Sequence, residues 1–310
     1  MAAIQISDDI LEGIKDKVVF ITGTPTRYSI TINNGSNSLM EVGGLSGIGK
    51  ATVELCLKQG ANVIIGDLNS PPSDFETSEK LRFIKLDVCS WDDQLDAFIQ
   101  IEKWFGRIDH VFANAGIGPT INFMDDGLDE NGLPTPPDLR TINIDLLSVV
   151  FTVRLATHYI QKHSAHRASG ELGSIVVICS GASFRDFSAG DYTIAKHGIL
   201  GLVRGIGSQV EGKVRLNAVA PSWTATNITN TPFIERLGVP VQGPEAVARS
   251  VVLLFNDHQR HGDVIYSWDG NYLEVNNAEG GLLAATDGIL ANPDKEETVV
   301  LKLREAKIIF

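Results

Sequence analysis

The sequence predicts an α/β protein, with one doubly wound parallel sheet of about seven strands and helices on both faces. Three observations lead there. Short apolar runs alternate with longer helix-period segments from about residue 17 to about residue 270, the order that builds parallel strands joined by crossover helices. Glycines crowd the passage from the first strand pattern to the first helix pattern. No internal repeat, low-complexity tract or Pro/Ser-rich linker divides the 310 residues, and 43% hydrophobic content can fill one large core.

Lys17-Val-Val-Phe-Ile-Thr-Gly23 reads as the first strand, and Gly47-Ile-Gly49 opens a helix whose apolar residues recur at helical spacing through Leu57. Strand, glycines and helix form a Rossmann-type dinucleotide cradle. Glycines allow a tight turn and close backbone approach, while the helix start offers free N–H groups to a pyrophosphate. Gly23, Ser46, Gly47, Ile48 and Gly49 are the expected cradle. The next strand, Ala61 to Asp67, ends in an acid twenty residues after Gly47, near the spacing of a carboxylate that binds an adenosine ribose. Leu68 follows, with no Arg to receive a 2′-phosphate, so NAD is preferred over NADP. An ordinary turn acid is the competing reading of Asp67, and the strand context weighs against it.

Ser174-Ile-Val-Val-Ile-Cys179 reads as a buried strand whose C-terminal end delivers the Ser180 hydroxyl to a cleft. Twelve residues later come Tyr192 and Lys196, neighbours on one helix face. Holding a tyrosine half-ionised near neutrality requires a shift of about 3 units, roughly 4 kcal/mol. An ammonium about 4 Å away supplies roughly that amount at an effective dielectric near 20. With five tyrosines in the chain, the spacing alone could arise by chance; Ser180 gives it weight.

The formal charge of −12 argues against nucleic acid, since phosphate neutralisation needs clustered Lys and Arg. Cys56, Cys89 and Cys179 lack metal-type spacing and read as reduced thiols of a cytoplasmic protein. The N-terminus lacks a signal-peptide pattern and no apolar run is long enough to span a membrane, so no membrane partner is expected and the sequons at Asn34 and Asn227 read as unused. His163 with His166, and His258 with His261, read as surface histidines; no metal is expected.

At these residues the chain resembles the short-chain dehydrogenase/reductase family, from about residue 15 to about residue 273. The resemblance includes Leu86-Asp87-Val88, Ala113-Asn114-Ala115-Gly116, Leu216-Asn217-Ala218-Val219-Ala220-Pro221 and Gly262 to Gly270. Tyr192 through Arg204 is similar to the NAD-dependent 15-hydroxyprostaglandin-dehydrogenase-like branch. The resemblance implies that Tyr192 is the general acid/base, Lys196 its electrostatic partner and a ribose ligand, and Ser180 a hydrogen-bond partner of the substrate oxygen. It also implies that Asp87 and Val88 hold adenine, that Asn114, Ala115 and Gly116 line the cofactor, and that Thr226 meets the carboxamide. It further implies a homodimer or homotetramer assembled through the helices Leu139 to Gln161 and Asp191 to Glu211. A domain over 1–273 and an extension over 274–310 are expected, with the role of the Glu296 to Ala306 stretch unassigned between helix and strand.

The chain departs from the family pattern in several places. Thr24 to Gly43, twenty residues of mainly polar composition, part Gly23 from Gly44 and read as a loop extruded from the cradle. Codons for Gly23-Thr24 and Val42-Gly43 can carry GT and AG splice boundaries, so we read the segment as an in-frame retained intron; finding its codons throughout the spliced transcript would sink that reading. Asp145 stands where the family usually has an Asn that anchors a water relay to the lysine; a carboxylate in this catalytic position could still accept water or pair with Lys196, though its charge would oppose phenolate formation. Ser222 replaces a Gly after Pro221, and Ala189 a Gln of the prostaglandin branch. The expected activity is NAD-dependent interconversion of a secondary alcohol and a ketone on a hydrophobic, polycyclic or polyketide-like metabolite, under a short lid from Thr226 to Gly243. The alternative is a non-catalytic member of the same fold whose cradle the insertion disables.

Overall fold

The computed structural model describes residues 1–23, 46–71, 77–120, 123–124, 127–166 and 171–287 with 289, 299 and 302, and the backbone alone of 29–31 and 37–39. In chain order the strands are β1 (Ala2–Ile4), β2 (Val18–Thr22), β3 (Ser29–Thr31), β4 (Asn37–Leu39), β5 (Asn62–Asp67), β6 (Leu81–Lys85), β7 (His110–Ala113), β8 (Ser174–Ile178), β9 (Arg215–Pro221), β10 (Val264–Trp268) and β11 (Asn271–Glu274). The helices are α1 (Gly47–Lys58), α2 (Trp91–Phe105), α3 (Arg140–Ile142), α4 (Ser148–Lys162), α5 (Gly190–Val210), α6 (Thr231–Arg236), α7 (Pro244–Asn256) and α8 (Leu282–Asp287). A π-helical turn, Asn143–Leu147, joins α3 to α4.

A nine-stranded sheet runs in the order β1-β11-β10-β9-β8-β7-β2-β5-β6. The seven strands from β10 to β6 are parallel, as the apolar runs predict. β11 and β1 add two antiparallel strands at one edge, beyond the expected seven. β2 and β8 are buried along their whole length because helices cover both faces. Alternate side chains feed two cores. Phe20, Ile64 and Val111 pack with Phe98, Val153 and Ile199 of α2, α4 and α5. Val19, Ile21 and Val63 pack with Val53 and Cys56 of α1 and Val251 of α7. Helix ends are set locally: Ser90 Oγ accepts the Asp93 N–H at 3.1 Å to start α2, and Gly106, at φ +68°, ends it in a left-handed turn.

Arg215, buried at the start of β9, caps the opposite end of α7 from within. Its Nη1 donates to Leu254 O at 2.7 Å and Asp257 O at 2.9 Å, and its Nη2 to Phe255 O at 2.6 Å. Leu254 and Phe255 lie in the last turn of α7, where no further helical N–H can reach their carbonyls, and Asp257 is the residue that caps its C-terminal end. Glu274 does the converse for the chain beyond β11. Its carboxylate accepts the N–H groups of Val264 at 3.0 Å, Asn276 at 2.8 Å and Ala278 at 2.6 Å. β11 therefore crosses the expected boundary at 273, and Val275 and Asn276 are buried against the sheet.

The insertion is not wholly loop. Ser29–Thr31 pairs antiparallel with Asn37–Leu39 as a two-stranded unit separate from the main sheet. The alternation in Ser29-Ile-Thr31 suits a strand, a signal masked by the polar composition of the whole. Asn34, the remainder of Thr24 to Gly43, Gly44, Leu45 and, except for Val299 and Lys302, the Glu296 to Ala306 stretch lie outside the described residues.

Candidate active site

β7 and β5 flank β2 on opposite sides, so the chain order reverses at β2 and a crevice opens beyond the C-terminal ends of these strands. The strand ends are stitched together there. Thr22 Oγ1 accepts the N–H groups of Asn114 at 3.2 Å and Ala115 at 3.4 Å, and Asn114 Nδ2 donates to Thr22 O at 3.3 Å. Gly23 donates its N–H to Gly66 O at 2.6 Å. Ser46, in extended conformation, precedes α1, followed by Gly47 at φ +51°, Ile48 and buried Gly49. A Cβ at Gly47 would lie 3.0 Å from Thr226 Cγ2, so both its backbone conformation and that approach require glycine. A cleft of about 350 Å³ opens beside this contact, lined by Gly47, Lys50, Thr226 and Glu245 among others.

Asp67 is buried at the end of β5, its Oδ1 accepting the Asn69 N–H at 3.0 Å, while Leu68 is exposed. The turn-acid geometry and the position beside the crevice are thus both present. Asp87 Oδ1 accepts the Cys89 N–H at 2.9 Å, and Val88 beside it is buried. Ala115 and Gly116 continue β7 into the crevice wall, and both are buried.

Across the crevice, Ser180 follows β8. Its Oγ accepts the Ala182 N–H at 3.2 Å and its N–H donates to Ser183 Oγ at 3.1 Å, a reciprocal cap that fixes the hydroxyl. Tyr192 and Lys196 stand one turn apart on α5, with Lys196 Nζ 5.4 Å from the phenol ring centroid. Asp191 anchors that helix start: Thr120 N–H approaches its carboxylate at 3.1 Å. Lys196 Nζ lies 3.0 Å from Asp145 Oδ2 and donates to Ile178 O at 3.3 Å. Asp145 sits in the π-helical turn, wholly buried, and its Oδ1 accepts the Ile117 N–H at 2.8 Å. A Cβ at Gly116 would come within 3.1 Å of Asp145 Oδ2, so that glycine admits the carboxylate. Asn143, two residues earlier, is exposed, as its helical position predicts.

The expectation that Lys196 brings Tyr192 below the ordinary phenol value is corrected here. Burial raises the Tyr192 phenol; Lys196 opposes that rise, Asp145 reinforces it, and hydrogen bonding to Ser180 lowers it. The net direction is upward. Burial alone would lower the Lys196 ammonium, yet Asp145 and the neighbouring phenol raise it above its ordinary value. Burial also raises Asp145, against the pull of Lys196 and the Ile117 N–H. Cys179, beside this cluster, is pushed up to about 11 by burial, which suits an inert core thiol.

The short chain dehydrogenase family matches residues 39–235, more than half of the chain and including Ser180, Tyr192 and Lys196. This chain belongs to the short-chain dehydrogenase/reductase family. It is 38% identical over 316 residues to the short-chain dehydrogenase/reductase ascJ of Acremonium egyptiacum, across 100% of this chain and 98% of that one. It is 27% identical to the rat (Rattus norvegicus) 15-hydroxyprostaglandin dehydrogenase [NAD(+)], across 75% of this chain and 90% of the relative. A solved 3-ketoacyl-(acyl-carrier-protein) reductase from Brucella melitensis, complexed with NADH, shares the fold with a TM-score of 0.64 at 17% identity, covering 82% of this chain and 97% of that one. As a short-chain dehydrogenase/reductase, this chain is an oxidoreductase of a family that uses nicotinamide cofactors, acts on small molecules and usually forms oligomers. No helix among the described residues is long and apolar enough to cross a membrane.

Beyond the strand ends, Ser180 follows β8, Tyr192 and Lys196 share one face of α5 with Asp145 against the ammonium and Gly116 against Asp145, and Thr22 and Gly23 are tied to Asn114, Ala115 and Gly66. Sequence reasoning missed Asp191, whose signal is an acid in the first turn of the Tyr192 helix. It missed Phe187 and Trp223, whose rings lie 5.5 Å apart on the loops after β8 and β9. Their signal is an aromatic residue on each of the loops that follow Ser180 and Pro221. The expected lid holds α6, with Ile234 buried and Phe233 exposed.

Proposed function

We propose that this protein is an NAD-dependent enzyme interconverting a secondary alcohol and a ketone on a hydrophobic small metabolite. The observation that carries the reading is the convergence of Ser180, Tyr192 and Lys196 beyond β8, facing a glycine-opened helix start and the Asp67 carboxylate. The residues present fit a nicotinamide dinucleotide: Gly47 has no Cβ to fill the approach, the α1 N-terminus offers N–H groups to a pyrophosphate, and Asp67 suits a ribose diol. Asp87 and Val88 would border adenine, Asn114 to Gly116 the nicotinamide side, and Thr226 the carboxamide. Leu68 in place of a basic residue, and the Asp67 charge, favour NAD over NADP.

The cofactor supplies hydride exchange at C4 of its nicotinamide. Ser180 orients the substrate oxygen, Tyr192 gives or takes its proton, and Lys196 holds charge beside the phenol. Phe187, exposed on the loop after Ser180 with its ring 5.5 Å from that of Trp223 at a tilt of 46°, supports an apolar substrate. The Leu147, Val150 and Ile194 side chains, 46%, 36% and 50% exposed on the π-turn, α4 and α5, support a homodimer or homotetramer built through those helices. Three free thiols, Cys56, Cys89 and Cys179, support a cytoplasmic setting.

Calorimetric titration tests the cofactor reading. NAD and NADH are expected to bind the full chain, with NADP at least about tenfold weaker, about 1.4 kcal/mol. Consumption of NADH with phenanthrenequinone or tetralone as the ketone tests turnover. The separate reading of a disabled cradle is favoured by the family match beginning at residue 39, beyond the β2 strand. Binding of NAD only by a version lacking Thr24 to Gly43 would establish that reading and overturn the enzymatic one for this chain.

A further inference from the structure

Asp145 is built into the site rather than left at its margin. A single π-turn interrupts an otherwise regular helix at that residue, and such bulges re-aim the side chains they carry. The result is a fully buried carboxylate with one oxygen on the Ile117 N–H and the other 3.0 Å from Lys196 Nζ. Gly116 leaves the space it occupies. The Lys196 ammonium is therefore divided between Asp145 and Ile178 O before it can act on Tyr192.

The charged and titratable groups around Tyr192 can be named element by element. Its own helix contributes Lys196 and Asp191, Cys179 and Ser180 follow the end of β8 at Ile178, and the π-turn contributes Asp145. Lys196 is the cation among these groups and is paired with Asp145, while the Asp191 carboxylate accepts the Thr120 and Tyr192 backbone N–H groups.

We propose that Asp145 is a positioning residue that commits Tyr192 to donating a proton, so that the site works as a ketone reductase around neutral pH. This rests on the reading of Tyr192 as the proton-transfer group. In the reductive step the carbonyl carbon accepts a hydride from reduced nicotinamide, forming a C–H bond as the C=O π bond breaks. The carbonyl oxygen takes the Tyr192 proton, and the phenolate recovers a proton from water. The ketone gains two electrons and two hydrogens, and NADH is oxidised to NAD. Oxidation of an alcohol needs Tyr192 without its proton, a form that the Asp145 charge disfavours, so the oxidative direction rises only at higher pH. The upward direction of the Tyr192 phenol, from burial and Asp145 against Lys196, agrees with this arrangement.

The test needs no substrate. Phenolate absorbance is titrated in the full chain and in Tyr192→Phe, and their difference isolates Tyr192 from the other tyrosines. The Tyr192 midpoint is expected above the ordinary phenol value, and Asp145→Asn, which keeps the shape and an acceptor for Ile117, is expected to lower it by about one pH unit or more. Asp145→Ser serves if the Asn variant does not fold. An unmoved midpoint overturns the inference. With phenanthrenequinone and NADH, the high-pH fall in kcat/KM is expected to move down by the same interval in Asp145→Asn. A limb that stays in place while the absorbance midpoint moves overturns the assignment of Tyr192 as proton donor and leaves the electrostatic effect of Asp145 established.

Discussion

Tyr192→Phe is expected to reduce kcat for carbonyl reduction roughly a thousandfold, the middle of the range that a positioned general acid contributes. That loss corresponds to about 4 kcal/mol of transition-state stabilisation. The substitution removes one oxygen and keeps the ring, so the Lys196–Asp145 pair and the Lys196 contact to Ile178 O are left in place. NADH affinity, read by calorimetry, should change less than about threefold, which is below 1 kcal/mol. Thermal stability should change little for the same reason. A kcat retaining more than roughly a tenth of the parent value would show that another group supplies the proton.

The second large effect concerns stability. Arg215→Ala is expected to destabilise the fold by roughly 4 kcal/mol, because it strands buried α7 carbonyls and opens a cavity where the guanidinium lay. Ser174 Oγ, which donates to Leu254 O at 3.0 Å, and the Arg260 N–H, 3.3 Å from Asp257 O, would remain for two of those carbonyls, leaving buried Phe255 O without its donor. For a chain of this size the melting temperature should fall by about 6 °C. Arg215→Lys should recover only a minor part, since a single ammonium cannot reproduce a planar fork reaching three acceptors. Arg236→Ala, on the exposed end of α6, is the control. Equal melting temperatures for the Arg215 and Arg236 variants would refute the buried cap.

What the sequence made legible was local or repetitive. The central parallel strands announce themselves because two-sided burial demands continuous apolar runs, whereas β6 at the sheet edge, Leu-Arg-Phe-Ile-Lys with no buried residue, does not; Tyr192 with Lys196 is legible because helical spacing places them together before any tertiary contact forms. Asp67 and the Gly47 to Gly49 helix start were legible for the same reason, being tied to strand and helix ends. The π-turn was not, because no residue type in Asn143-Ile-Asp-Leu-Leu147 marks a slipped hydrogen bond. The direction of the Tyr192 shift was also out of reach. A pairwise estimate from Lys196 omits burial, and burial is the largest influence on that phenol. Asp145 was visible as a misplaced charge, while its bond to Ile117 depends on Gly116 making room from another strand. β1 carries only three residues and one buried side chain, too little pattern to identify a partner some 270 positions away.

That pairing of β1 with β11 bears on how the protein is made. Ala2 and Ile4 leave the ribosome early, but Tyr272 and Glu274, to which they pair, are among the last residues of the sheet to be synthesised. At about 5–20 residues per second the opening strand waits tens of seconds for its template. During that interval Ile4 has no place to bury itself, and the nascent sheet cannot close that side. The N-terminal strand is thus fastened only after translation of the main domain is complete, and its docking reports that the whole sheet has been assembled.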